Sequence, residues 1–206
     1  MRARLVLLAS GNGSTAQGFL DAAADGRLGA DVVALGADRD HAHALERARR
    51  AGVETFVVRR EDHPDRPAYD AAVGDALDAR RPDLVACCGW MKVLAPDVVR
   101  RHRVVNTHPS LLPAFPGAHA LRDQLAGGTR EGGCTVHVVD AGVDTGPALA
   151  RARVPVLPDD DEDALRARVQ GVERDLYVDV VADLLAGGVE DLDRRIEERT
   201  ARGADG

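Results

Sequence analysis

The feature that most limits the fold is a set of short, wholly apolar runs, each cut off by a glycine-containing turn. Leu5-Val6-Leu7-Leu8-Ala9 has no polar position on either face, and Asp83-Leu84-Val85-Ala86-Cys87-Cys88-Gly89 repeats the pattern behind a leading acid. A strand with one wet face alternates in polarity, so runs without alternation predict strands buried on both sides, as in a parallel sheet covered by helices. Asp31 to Gly36, Thr55 to Val58 and Arg103 to Thr107 read as further strands. Between them lie helical segments: about Ala16 to Ala24, His43 to Arg50, one beginning near Pro67, a short one primed by Pro96, and Ala118 to Ala126. Gly133 to Asp140 alternates in period two, and Ala148 to Pro155 follows after only a few residues, so this last pair is expected to be antiparallel. Leu165, Val169, Val172, Leu176, Val180 and Leu184 recur in steps of four and three, the spacing of a long amphipathic helix. The order predicts an α/β fold: one doubly wound, mostly parallel, Rossmann-like sheet with one antiparallel pair, spanning residues 1–188. Residues 189–206, with the charged run Asp191 to Arg202, are expected to form a peripheral helix and a loose tail.

The bulk numbers narrow the function classes. A chain of 206 residues, 45% hydrophobic and 30% charged, can bury a full core. Its net charge of −7, with arginines scattered and no basic block, argues against duplex nucleic acid as a partner. No apolar run reaches the roughly 18–20 residues of a membrane span. The start, Met1-Arg2-Ala3-Arg4-Leu5, shows no cleavage site, so a cytoplasmic protein is expected. Of three cysteines, Cys87 and Cys88 are neighbours in a strand and must face opposite sides; both read as small core residues.

Polar side chains gather where the strands end. Ser10-Gly11-Asn12-Gly13-Ser14-Thr15 joins a strand to a helix. Such a turn either offers helix amides to a phosphate or carries its glycines for steric reasons alone. It is neither a dinucleotide fingerprint nor a Walker loop, since Ala16 stands where a third glycine is needed and no Gly-Lys-Ser/Thr is present. Gly89-Trp90-Met91-Lys92-Val93-Leu94 is either a pocket wall or a packing plug. Asn106 and His108 stand two apart at the end of an extended segment, stiffened by Pro109, Pro113 and Pro116, where both can face one crevice. An amide and an imidazole so placed can grip a carbonyl oxygen, or they can merely satisfy a buried loop. Asp144 is the central acid of the loop Ala141-Gly142-Val143-Asp144-Thr145-Gly146-Pro147. Gln170 and Glu173 share one edge of the long helix, as a solvated flank or one rim of a cleft. His41, His43 and His63 read as surface histidines, and the acids from Asp159 to Asp163 as complements to a helix dipole.

Taken in order, Ser-Gly-Asn-Gly-Ser, Gly-Trp-Met-Lys-Val-Leu, Asn-Thr-His-Pro-Ser-Leu-Leu-Pro-Ala-Phe-Pro-Gly, Gly-Cys-Thr-Val-His-Val-Val, Asp-Ala-Gly-Val-Asp-Thr-Gly-Pro and Arg-Val-Gln-Gly-Val-Glu resemble the phosphoribosylglycinamide formyltransferases. These are folate-dependent one-carbon transferases of purine synthesis, and the resemblance covers about residues 4 to 186. It implies transfer of the formyl group of 10-formyltetrahydrofolate to the amine of glycinamide ribonucleotide, with Asn106, His108 and Asp144 as the catalytic trio. Asn106 and protonated His108 would stabilise the oxyanion, Asp144 would support the imidazolium and proton movement, and Thr135 and His137 would back this centre. Gly13, Ser14 and Thr15 would cradle the phosphate, with Gln170 and Glu173 at the ribose or glycinamide end. The folate would lie along Trp90, Met91, Lys92, Val93 and Leu94, beside Asn106, and along Ala141, Gly142, Val143 and Asp144, with Arg66 near its glutamate tail. The implied partners are small molecules, with no metal, and the resemblance leaves a homodimer open. The chain departs from the family pattern at Thr15, where Asn is expected, at Lys92, where Arg is common, and at Ala114, where a basic residue often stands. Deformylases and methionyl-tRNA formyltransferases share the core but carry an additional domain, which argues against both.

Overall fold

A computed structural model describes residues 2–203. Seven strands form one sheet in the order β3-β2-β1-β4-β5-β6-β7. The strands are β1 (Ala3–Ala9), β2 (Ala30–Ala37), β3 (Glu54–Val57), β4 (Leu84–Cys87), β5 (Val104–His108), β6 (Glu131–Val138) and β7 (Ala148–Pro155). The helices are α1 (Ser14–Ala24), α2 (His43–Arg50), α3 (Arg66–Asp78), α4 (Pro96–Arg101), α5 (Ala120–Ala126), α6 (Glu162–Leu185) and α7 (Leu192–Gly203). The tail expected from the sequence beyond residue 203 lies outside the described residues. Among the described residues no helix is long and apolar enough to cross a membrane.

The apolar runs divide between two faces as a doubly wound sheet requires. Leu5, Leu7 and Ala9 pack with Phe19 of α1, Leu45 of α2 and Tyr177 of α6, whereas Val6 and Leu8 pack with Tyr69, Val73 and Leu77 of α3 and Val98 of α4. Cys88 falls on the first side and Cys87 on the second, as strand geometry demands of neighbours. The chain lays β2 and β3 on one side of β1, then crosses over to β4 and β5 on the other. That reversal opens a crevice at the carboxyl ends of β1 and β4, the usual ligand position in open α/β sheets.

The expected β6–β7 pairing is antiparallel, and β6 also runs antiparallel to β5. The short α5 connection explains the second contact, because it returns the chain directly beside β5 in place of a long crossover. Helix α5 starts at Ala120, two residues later than the sequence suggested, and β6 covers 131–138 in place of 133–140. Asp161 accepts from the Ala164 amide and so caps α6, while Asp160 pairs with Arg168, which accounts for two of the acids in that run. The stripe on α6 widens beyond the heptad expectation. Leu165, Val169, Val180 and Leu184 are buried, but so are Tyr177, Val178, Val181 and Leu185, because the second half of α6 lies between the sheet, α1 and α7.

Tyr177 ties α6 to β5. Its ring is fully buried edge-on against Phe19, and its hydroxyl donates to the Val105 carbonyl at 2.8 Å. Tyr177→Phe should keep the packing and remove one buried hydrogen bond, lowering stability by about 1–2 kcal/mol. Urea unfolding checks this, and an unchanged midpoint would show that the bond carries no net stability.

Candidate active site

The crevice is a cleft of about 530 Å³ along the carboxyl ends of β1, β4 and β5, closed on one side by the 140–146 loop and on another by α6. That volume is in the range of pockets that hold a small organic ligand. Its floor carries Asn106 and His108, both on β5, and Asp144 reaches in from the loop.

The His108 ring is 5% exposed and has an acceptor at each nitrogen. Nε2 lies 2.9 Å from the Phe115 carbonyl and Nδ1 lies 3.3 Å from Oδ2 of Asp144. A carbonyl cannot donate, so Nε2 carries a proton. The same Asp144 oxygen accepts from the Gly117 amide at 2.8 Å, so one carboxylate joins the His108–Gly117 segment to the 140–146 loop. Asp144 sits at φ 54°, a left-handed conformation rare for residues other than glycine. The loop around it holds that conformation: Asp140 accepts from the Gly142 amide at 3.0 Å and the Thr145 hydroxyl at 2.7 Å. A side chain at Gly146 would put its Cβ 1.8 Å from the Val138 carbonyl oxygen, so only glycine closes the loop.

Asn106 pairs across the strands with His137 on β6. Nδ1 of His137 lies 2.9 Å from the Val138 carbonyl and must donate to it. Burial pushes the His137 imidazole below its usual range and favours the neutral ring with Nε2 as acceptor, against the pull of Oδ1 of Asp144 3.7 Å away. That lone pair faces Nδ2 of Asn106 at 3.3 Å and orients the amide, whose second N–H is left for the cleft. Thr135, fully buried, does not line the cleft. Its hydroxyl donates to the Ser110 carbonyl at 2.7 Å and accepts from the Leu112 amide at 3.0 Å, bracing the loop after β5 from behind. That loop contains a cis Leu112–Pro113 peptide bond.

Gly13, Ser14 and Thr15 line the far end of the cleft at the start of α1. Gly13 takes φ 74°, and a Cβ there would sit 2.6 Å from the Ala44 Cβ, so α2 packs directly on the turn. No side chain caps α1 and its first turn holds no acid, which leaves its leading amides open to an anion. Gln170 and Glu173 form the α6 rim. Glu173 makes no hydrogen bond or ion pair among the described residues, and burial pushes its carboxyl upward, with Arg174 opposing. Trp90, Met91, Lys92, Val93 and Leu94 form the opposite wall, with Gly142 and Val143 across from them. Met91, Val93 and Val143 are exposed apolar groups at the mouth.

Two expected contacts stand outside this lining. Ala141 is an exposed residue of the 140–146 loop that does not line the cleft, and Arg66 lies behind the wall, donating to Asp70 at 2.6 Å and to the Val93 carbonyl at 2.5 Å. Conversely, the sequence reading passed over the Phe115 carbonyl, the Gly117 amide and the brace supplied by Asp140. The first two are backbone groups with no side-chain signature; the Asp-x-Gly spacing of Asp140 and Gly142 is an Asx-turn signal that was available.

The formyl transferase family model matches residues 3–181. A phosphoribosylglycinamide formyltransferase of Mycobacterium tuberculosis is 51% identical over 189 residues, covering 91% of this chain and 87% of that protein. The Escherichia coli protein of the same name is 39% identical over 86% of this chain and 85% of its own length. Among solved structures, glycinamide ribonucleotide transformylase 1 from Symbiobacterium toebii superposes with a TM-score of 0.88 at 40% identity, over 90% of this chain and 89% of that one. The fold, the cleft and these relatives agree: this chain belongs to the formyl transferase family.

Proposed function

We propose that this chain transfers the formyl group of 10-formyltetrahydrofolate to the amine of glycinamide ribonucleotide, giving formylglycinamide ribonucleotide and tetrahydrofolate. The observation that carries this reading is the placement of Asn106, His108 and Asp144 in the same cleft as the uncapped start of α1. One end of the cleft suits a phosphate and the other suits a carbonyl carbon under attack, which is what a phosphorylated amine acceptor and a formyl donor need.

In this scheme the ribonucleotide phosphate accepts from the first amides of α1, and the Ser14 and Thr15 hydroxyls lie within the same turn. Glu173, without a protein partner, and Gln170 accept and donate to the ribose or glycinamide end. The folate lies between the Trp90–Leu94 wall and the Gly142–Asp144 side. The amine attacks the formyl carbon, and negative charge develops on the formyl oxygen. Asn106 meets that oxygen with the N–H left free by His137. The Nε2 proton of His108 is the second donor, so the ring must exchange the Phe115 carbonyl for the formyl oxygen as substrate enters. Asp144 stays on Nδ1 throughout. The attacking nitrogen loses a proton and the departing folate nitrogen gains one, with Asp144 and His108 as the groups in reach to relay it. An amine is already nucleophilic, so the site's work is orientation and charge stabilisation. Cytoplasmic synthesis of purines is the setting this reaction implies.

The direct experiment incubates the protein with 10-formyltetrahydrofolate, with and without glycinamide ribonucleotide, and follows tetrahydrofolate release. Release that depends on the ribonucleotide, with formylglycinamide ribonucleotide as product, is expected; release without any amine would mark a deformylase instead. Asn106→Ala should lower kcat about 10²–10³-fold, the usual cost of one oxyanion donor.

His137 supplies a pH signature. Its folded-state pKa lies below the unfolded value near 6.5, so the unfolded chain binds the proton first as pH falls. The stability this contributes is complete above about pH 6.5 and is lost progressively below it. His137→Gln should therefore flatten the dependence of urea stability on pH below that point. A slope identical to wild type would contradict a neutral His137.

A further inference from the structure

We propose that Asp38, acting through Ser10 and Lys92, is a positioning residue that fixes the Gly89–Lys92 wall of the cleft and so sets affinity for the folate. The inference rests on the formyl-transfer reading for the identity of the ligand, but not for the positioning itself.

Asp38 follows β2 and Ser10 follows β1, so both stand at the carboxyl edge of the sheet, and they are 5% and 3% exposed. Neither is among the residues that the proposed mechanism uses, and Asp38 does not line the cleft. The Asp38 carboxylate is nonetheless the hub of a buried polar cluster. Arg39 grips both its oxygens, at 3.0 and 2.8 Å, and the Lys92 ammonium lies 3.7 Å away. The Ser10 hydroxyl lies close enough to help hold the Asp38 carboxyl below its usual range. Ser10 in turn accepts from the Met91 amide at 2.9 Å, and its own amide donates to the Gly89 carbonyl at 3.1 Å. Tyr69 is a further titratable neighbour close enough to feel the Asp38 charge, and burial with that charge pushes its phenol up to about 12.

Three successive points of the wall thus hang on this cluster: Gly89 through its carbonyl, Met91 through its amide and Lys92 through its ammonium. Apolar packing anchors Trp90 but not Met91, which is 68% exposed. A buried carboxylate is costly unless paired, and here two cations and a hydroxyl compensate it. Removing it takes the carboxylate from beside Ser10 and leaves the Lys92 ammonium without its partner, so both the Ser10 anchor of the Met91 amide and the side chain of Lys92 lose the charge that positions them. Asp38→Asn keeps a polar group of the same shape beside Ser10 and drops the charge that holds Lys92.

Trp90, the single tryptophan of the chain, lies inside this wall and reports on it directly. The test compares wild type, Asp38→Ala, Asp38→Asn, Lys92→Met and the Asp38→Asn/Lys92→Met double variant as full-length protein. Acrylamide quenching of Trp90 without ligand reads the wall; fluorescence titration with 10-formyltetrahydrofolate and separate KM values for the two substrates read its consequence. Asp38→Ala should increase quenching and weaken folate binding about tenfold or more, with KM for the ribonucleotide unchanged. Asp38→Asn and Lys92→Met should each weaken folate binding less, and the double variant should be no worse than the poorer single one, the mark of one shared interaction. Wild-type folate affinity and quenching in a folded Asp38 variant, equal rises in both KM values, or simple additivity in the double variant would each overturn the proposal. Should Asp38→Ala fail to fold, Asp38→Asn and Lys92→Met carry the same comparison. Altered quenching in a protein that binds no folate would leave the positioning role standing and refute the assigned ligand and reaction instead.

Discussion

One carboxylate oxygen holds this site together. Oδ2 of Asp144 accepts from the Gly117 amide and faces Nδ1 of His108, so two loops from opposite sides of the cleft meet on a single atom. Neither loop could hold the geometry alone. The 140–146 loop has exposed apolar positions, and the segment from Pro109 to Gly117 leaves Pro113, Ala114 and Pro116 in solvent. What fixes them is the set of hydrogen bonds that converges on this region. Thr135 braces Ser110 and Leu112 from behind, Ser110 donates to the Ala114 carbonyl at 2.6 Å, and Asp140 folds its own loop around Asp144. The left-handed backbone at Asp144 is sustained by these contacts, a form of local strain that sites tolerate when their surroundings determine it.

The sheet makes that convergence available. Because β6 runs antiparallel to β5, His137 lands opposite Asn106, and Thr135 lands opposite His108. A parallel neighbour would have placed a different pair of residues there and required a long crossover. The reversed strand thus gives the Asn106 side chain a buried polar partner, His137, and puts Thr135 where it braces the loop after β5. The other half of the cleft follows a different logic. There the chain reversal between β1 and β4 exposes an uncapped helix start, whose amides attract an anion without any charged side chain. One end of the cleft is thus built from backbone dipoles, whereas the other carries the charge of Asp144 against His108.

Much of this was legible in the chain itself, for identifiable reasons. Wholly apolar runs such as Leu5–Ala9 specify two-sided burial, and the short link before Ala148 specifies a hairpin-like return, so the sheet and its antiparallel pair could be read directly. Asn106, His108 and Asp144 could be singled out because proline and glycine punctuate the segments that carry them. The features that stayed hidden are those without a side-chain pattern. The acceptor for His108 is a backbone carbonyl, the second partner of Asp144 is a backbone amide, and Asp38 is one acid in the polar run Asp38-Arg39-Asp40, with no spacing that sets it apart. Burial of Asp38 arises only when β1, β2 and the Trp90 loop come together, from residues far apart in sequence. Arg66 shows the converse: a long cation with a suggestive position, whose guanidinium is taken up by Asp70 and a carbonyl of the wall it was expected to sit beside.

The claim on which the rest depends is that Asp144 acts through its charge as well as its shape. Asp144→Asn separates the two, because an amide oxygen can still accept from Gly117 and keep the loops joined. A crystal structure of this variant together with single-turnover formyl transfer to glycinamide ribonucleotide is the most direct measurement. Loops superimposable on wild type and transfer slowed by about 10²-fold or more, the scale of a general acid–base contribution, are expected. Transfer at the wild-type rate in an intact site would contradict that claim.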